Sequence, residues 1–87
     1  MSTSNSIQKH VTEAFKQVFP NDQIDHESDF FDLGGDSVAL VALCSYLEGH
    51  LGFEVHPSLL LYHPTAEELA AELETRSRST DNLKAAN

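Results

Sequence analysis

Three stretches of this chain place apolar residues at three- and four-residue spacing, and a sixteen-residue stretch between the first two has no period at all. That layout constrains the fold more than anything else in the sequence. From about Ser6 to Phe19, the residues Ile7, Val11, Ala14, Phe15 and Val18 make one apolar stripe on a helix. Asn5 with Gln8 three residues later predicts its cap, and Pro20-Asn21-Asp22 its end. A second stripe, Leu40, Leu43, Cys44, Leu47 and Leu51, predicts a helix from Asp36 or Ser37 to about His50, roughly 21 Å long. Val41 broadens that stripe, and Gly52 is the stop signal. Phe53 to Pro57 reads as an extended link, and Ser58 to Tyr62 as one short helical turn with Ser58 as cap. Pro64 pushes His63 out of the helical region. Thr65 and Glu68 then form a capping box for a last helix with Leu69, Ala70 and Leu73 inward. Glu67 and Glu68 sit at its positive end and Arg76 and Arg78 at its negative end. The expected fold is all-α, a bundle of three longer helices and one short one. Phe15, Leu40, Leu43, Leu47 and Leu69 should share its core.

The aperiodic stretch, Asn21 to Asp36, is long for a connection inside a small domain, and such loops carry anchors or function. Ile24, Phe30, Phe31 and Leu33 are its expected anchors. It ends on Asp32-Leu33-Gly34-Gly35-Asp36-Ser37, immediately before the apolar run Val38 to Leu43. A serine there sits at the mouth of a helix, where unpaired backbone N–H groups and a partial positive charge favour an anion such as a phosphate. Gly34 and Gly35 permit tight turning and close approach by a second protein.

The octapeptide Phe30 to Ser37 resembles the signature around the modified serine of carrier proteins, the thiolation domains of nonribosomal peptide and polyketide assembly lines. Leu60-Leu61-Tyr62-His63-Pro64-Thr65 is similar to the pattern leading into the last helix of peptidyl carriers, with the aromatic one residue late. The resemblance covers about Ile7 to Leu73. It implies a four-helix carrier-protein bundle without catalysis of its own. It implies covalent 4′-phosphopantetheine, taken from coenzyme A, on Ser37. Gly35 and Asp36 would form the attachment site, with Asp36 capping the helix or helping to hold a divalent cation in the transferase complex. The implied partners are a phosphopantetheinyl transferase, adenylation or acyl-loading enzymes, a condensation enzyme or ketosynthase, and a releasing enzyme. The Gly-Gly pair leans toward the peptidyl branch, whereas Asp36 stands where peptidyl carriers commonly have histidine, and aspartate there also occurs in acyl carriers. Aminoacyl, peptidyl and acyl cargo all remain open.

A partner must cover the surface from which the arm springs, so Leu33, Asp36, Val38 and Val41 are the expected docking residues. The second helix carries one acid between Ser37 and His50, Glu48, which points to apolar docking. The alternative for Val41 and Ala42 is that they are core.

Composition narrows the remaining classes. Eighty-seven residues make one domain that buries about 60–65% of its unfolded surface, too little for a deep enclosed pocket. Fourteen acidic against five basic residues give a net charge of −9, which excludes nucleic-acid binding by repulsion and favours basic partners. No signal-like leader opens the chain and no apolar run reaches membrane length, so a soluble, cytoplasmic monomer in a reducing compartment is expected. Residues 1–5 read as an N-terminal tail, 6–76 as the carrier domain and 77–87 as a disordered tail or linker. The ends suit either a free-standing protein or part of a longer one.

Other chemistries fit poorly. Gly35-Asp36-Ser37-Val38-Ala39 lacks the final glycine and preceding strand of a nucleophile elbow. His10, His26, His50, His56 and His63 show no metal-ligand spacing. Cys44 lies on the inward stripe with nothing basic near it, as a core residue would. Ser37 alone could be an ordinary cap. The competing functional class is a small acidic helical adaptor that binds proteins without a prosthetic group.

Overall fold

The computed structural model describes the backbone of residues 3–86 and the side chains of residues 6–77. Four helices follow one another: α1 (Thr3–Val18), α2 (Ser37–Leu51), the short α3 (Ser58–Tyr62) and α4 (Ala66–Ala86). Among the described residues no strand forms; one isolated antiparallel bridge pairs Asp29 with Thr65. Helix α1 packs against both α2 and α4. Its stripe supplies Ile7, Val11, Ala14 and Phe15 to the core, and Phe19 just beyond it is buried too. Leu43, Cys44 and Leu47 enter from α2, Leu59 and Leu60 from α3, and Ala66, Leu69, Ala70 and Leu73 from α4. Leu40, expected among them, packs half-buried at the margin with Val18 and Leu51. Val55 is buried although the link it belongs to has no helical period. Each leucine taken out of water contributes about 1.5–3 kcal/mol, which is how a domain this small holds together.

The long connection is folded onto the bundle chiefly by one residue. Phe30 is fully buried and meets Phe15 and Phe19 edge-on, with ring centroids 6.3 and 5.5 Å apart. Ile24 and Leu33 pack half-buried against the core, as anchors should. Phe31 does not. It is exposed and only leans on Phe30, edge to face at 5.1 Å. Adjacent residues of one turn cannot both point inward, and Phe30 takes the inner place.

Helix ends follow the local chemistry in most cases. Gly52 takes φ +80° and donates its N–H to the Glu48 carbonyl at 3.0 Å, closing α2 as expected. The Thr65 half of the capping box forms, its hydroxyl accepting from the Glu68 N–H at 3.1 Å; among the described residues the Glu68 carboxylate makes no return bond. Three expectations are corrected. Helix α1 starts at Thr3 rather than Ser6, and Gln8 reaches forward to the Thr12 hydroxyl at 3.3 Å instead of back; the Asn5 side chain lies outside the described residues. At α3 Ser58 is the first helical residue and not the cap; Pro57 holds the cap position without a side-chain bond, and the Nδ1 of His56 accepts from the Ser58 N–H at 3.1 Å and lies 2.9 Å from the Ser58 hydroxyl. Helix α4 continues to Ala86, so the backbone of 77–86 is helical where a disordered tail was expected. Neither Gly nor Pro interrupts 66–86, and Ala, Glu, Leu, Arg and Lys sustain a helix without a core. Arg76 therefore sits within the helix, paired with Glu72 at 3.0 Å, rather than at its end; the side chain of Arg78 lies outside the described residues.

Candidate functional site

The turn before α2 is built by Asp29. Its Oδ1 accepts from the N–H groups of Phe31 and Asp32 at 2.8 and 3.1 Å, and its carbonyl accepts from Leu33 N–H at 3.0 Å. The Gly34 and Gly35 N–H groups then bond to the carbonyls of Phe31 and Phe30. The two glycines are needed for different reasons. Gly34 has φ +89°, which side chains resist, while a Cβ on Gly35 would fall 2.2 Å from the Phe30 ring. A close approach at Gly35 is already made by the chain's own Phe30.

This turn delivers Asp36 as the N-cap of α2. Its Oδ1 accepts from Ala39 N–H at 2.9 Å and its carbonyl from Leu40 N–H at 2.9 Å. Ser37 follows, exposed to solvent, in a first turn that carries no acid. Among the described residues nothing accepts from the N–H groups of Ser37 or Val38. An exposed hydroxyl therefore stands beside two unused donors at the positive end of a fifteen-residue helix. That arrangement can accept a phosphodiester: its charge would meet the N–H groups, and the glycine turn leaves the approach open. Gly35, expected at the attachment site, lies two residues before Ser37 and packs on the Phe30 ring.

The expected docking residues divide. Val38 and Val41 are 78% and 60% exposed, so Val41 is surface and not core. Ala42 is exposed beside them. Leu33 is half-buried and packs against the core. Leu61 and Tyr62 on α3 are also exposed, at 65% and 78%. Sequence reasoning missed them because a five-residue helix buries only one side, here Leu59 and Leu60. Glu48 is engaged locally: its Oε2 accepts from the Val55 N–H at 2.9 Å and holds the link after α2.

The remaining reactive side chains are occupied elsewhere. Cys44 is buried, and burial with the nearby Glu48 carboxylate pushes its thiol up to about 11, so it stays neutral and unreactive near pH 7. His10 and His50 stack at 5.1 Å, His50 lies on Tyr46 at 4.3 Å, and His26 and His63 stand 3.7 Å from Glu27 and Glu72. Among the described residues no group of three or more His, Cys, Asp or Glu could hold a metal ion.

Residues 7–73 match the family model described as phosphopantetheine attachment site. The chain belongs to that family. Its members carry 4′-phosphopantetheine covalently, and the carrier domain seen here has their four-helix architecture. A hydroxamate-type ferrichrome siderophore peptide synthetase of Schizosaccharomyces pombe is 34% identical over 80 residues. The match takes in 90% of this chain and 2% of that protein, so the chain spans a small fraction of the relative's length. A non-ribosomal PCP domain is 28% identical with a TM-score of 0.68, covering 82% of this chain and 88% of that one. A type II acyl carrier protein of Streptomyces verticillus, involved in bleomycin biosynthesis, superposes with a TM-score of 0.78 over 84% of this chain and 88% of that one. At 16% identity it speaks for the fold alone. The competing adaptor without a prosthetic group is not favoured by these matches.

Proposed function

We propose that Ser37 takes the phosphopantetheine arm and that the domain carries aminoacyl, peptidyl or acyl groups as thioesters in nonribosomal peptide or polyketide-type biosynthesis. The observation that carries this reading is the exposed Ser37 hydroxyl at the open start of α2, held behind the turn locked by Phe30, Gly34 and Gly35. In loading, the Ser37 oxygen bonds to the β-phosphorus of coenzyme A and the pyrophosphate linkage breaks. Adenosine 3′,5′-bisphosphate leaves, and the hydroxyl proton passes to the transferase. Asp36 keeps the helix start in place through Oδ1. Its other carboxylate oxygen faces no partner among the described residues, and can help to hold a divalent cation in the transferase complex.

The domain then has no catalysis of its own. A phosphopantetheinyl transferase loads it, adenylation or acyl-loading enzymes charge it, and condensation or ketosynthase and releasing enzymes consume the cargo. Tethering replaces diffusion with a high effective concentration. Peptidyl cargo is favoured over acyl cargo by the peptide synthetase relative and the PCP structure. Docking centres on Val38 and Val41, with Leu33 at the edge of the patch and Asp36 beside the arm. The carrier unit is 6–76, with 1–5 and 77–87 as flanks, and it works as a cytoplasmic monomer. Among the described residues no helix is long and apolar enough to cross a membrane.

The experiment is incubation with coenzyme A, magnesium and a broad-specificity phosphopantetheinyl transferase, followed by intact mass. The reading expects a gain of one phosphopantetheinyl group; no gain would return the adaptor to first place.

A further inference from the structure

Ser37 stands between two grooves that share Val38 and Ala42. One is bordered by Ser37, Val38, Val41 and Ala42, and apart from the serine it is apolar. The other runs between the end of α1 and α2, with a volume of about 400 Å³, and is lined by Gln17, Val18, Asp36, Val38, Ala39, Ala42 and Tyr46. The second groove mixes aliphatic walls with polar groups. Neither the Gln17 amide nor the Tyr46 hydroxyl has a hydrogen-bond partner among the described residues. Tyr46 is nonetheless fixed in place, stacked on His50, which in turn stacks on His10 of α1.

The arm is chemically matched to that lining. It carries two amides, a hydroxyl and a pair of methyl groups, and needs both hydrogen bonds and apolar contact to lie against protein. Its chain equals four to five residues of extended polypeptide, roughly 13–18 Å. From Asp36 to Tyr46 the groove follows ten residues of α2, about 15 Å. The groove begins at the residues on either side of Ser37, so the tether leads directly into it.

We propose that the arm on Ser37 rests in this α1–α2 groove between transfers, with its amides against Gln17 and Tyr46 and its methyl groups against Val18, Ala39 and Ala42. The Val38 side chain then separates the resting arm from the apolar face at Val41. A partner can dock on Val41 before the thioester leaves its groove. This inference rests on the attachment at Ser37 proposed above.

The test places a nitroxide on the arm's thiol and reads paramagnetic broadening of backbone amides in the loaded protein. Cys44, buried and neutral, does not compete for the label. Gln17, Val18, Tyr46 and His50 should broaden more strongly than Val41, Leu61 and Tyr62. In a Gln17→Ala, Tyr46→Phe double variant, compared only after intact mass shows it fully loaded, the bias toward the groove should disappear. Broadening that depends only on distance from Ser37, or that is strongest at Val41 and Leu61, overturns the groove assignment. Intact mass separates the two claims. Full loading without groove broadening sinks this inference alone, whereas failure to load sinks the Ser37 reading together with it.

Discussion

At the start of α4, four successive amide donors are met from within the protein. Ala66 N–H bonds to the Ser28 carbonyl, Glu67 to the His26 carbonyl, Glu68 to the Thr65 hydroxyl and Leu69 to the Thr65 carbonyl, all between 2.8 and 3.1 Å. At the start of α2 only the third and fourth are met, both by Asp36. The contrast lies in who supplies the acceptors. The loop from Asn21 to Asp36 spends its own carbonyls on α4 and leaves the first donors of α2 open, where the arm proposed at Ser37 would meet them. One helix start is a joint of the fold and the other a socket, and a single turn of chain around Asp29 and Phe30 serves both.

The widest break in this contrast comes from Phe30→Ala. It removes the ring that pins the loop and should cost about 3–5 kcal/mol, a large part of a small domain's stability. Denaturant unfolding measures the cost, and the amides of Ala66 and Glu67 should lose hydrogen-exchange protection with it. A loss below about 1 kcal/mol would mean that the backbone bonds to α4 hold the loop by themselves. Gly35→Ala forces a methyl group against the same ring and should cost about 1–3 kcal/mol by overpacking. The two caps allow a sharper comparison. Thr65→Ala and Asp36→Ala should each cost about 0.5–2 kcal/mol. In the native protein, however, Ser37 and Val38 amides should exchange freely while Ala66 and Glu67 are protected. Equal protection at the two starts would erase the distinction.

Two smaller effects concern α2 itself. The Cys44 thiol is raised to about 11 by burial and by Glu48, whereas in the unfolded chain it ionises near 9.0. Above that pH the unfolded state loses its proton first, so stability present below pH 9 should decline as pH rises toward 11. Cys44→Ser should flatten that part of the stability profile. Val38→Asp, on an exposed side chain, should change stability by less than about 0.5 kcal/mol. It should still weaken loading or transfer by a partner enzyme, while added salt weakens transfer only modestly. A steep salt dependence with an indifferent Val38→Asp would move docking from the apolar patch to the acidic surface.

Caps and stops were more legible in the sequence than the bonds that join the loop to α4. Asp36 as cap, Gly52 as stop and Thr65 as cap are short-range chemistry, readable within three or four residues. The bonds from Ser28 and His26 to α4 cross some forty residues, and backbone carbonyls leave no trace in residue identity. Phe30 and Phe31 read alike in sequence, since only the turn set by Asp29 decides which ring goes inward. Val41 fits a broad helical stripe equally well as core or surface, and the structure puts it outside because α1 covers only one side of α2. At α3 the helix starts on Ser58 itself and its N–H is met by His56 Nδ1 from two residues earlier, a placement that residue preferences do not encode. The groove between Gln17 and Tyr46 joins two helices with no shared sequence signal.

The central claim is that the prosthetic group goes to the open helix start and nowhere else. Proteolysis of the loaded protein with tandem mass spectrometry tests it most directly, with Ser37→Ala run in parallel. The account predicts one phosphopantetheinyl group on the peptide containing Ser37, and a folded Ser37→Ala protein that gains no mass. A group found on Ser28, Ser45 or Ser58, or an alanine variant that still loads, would contradict it.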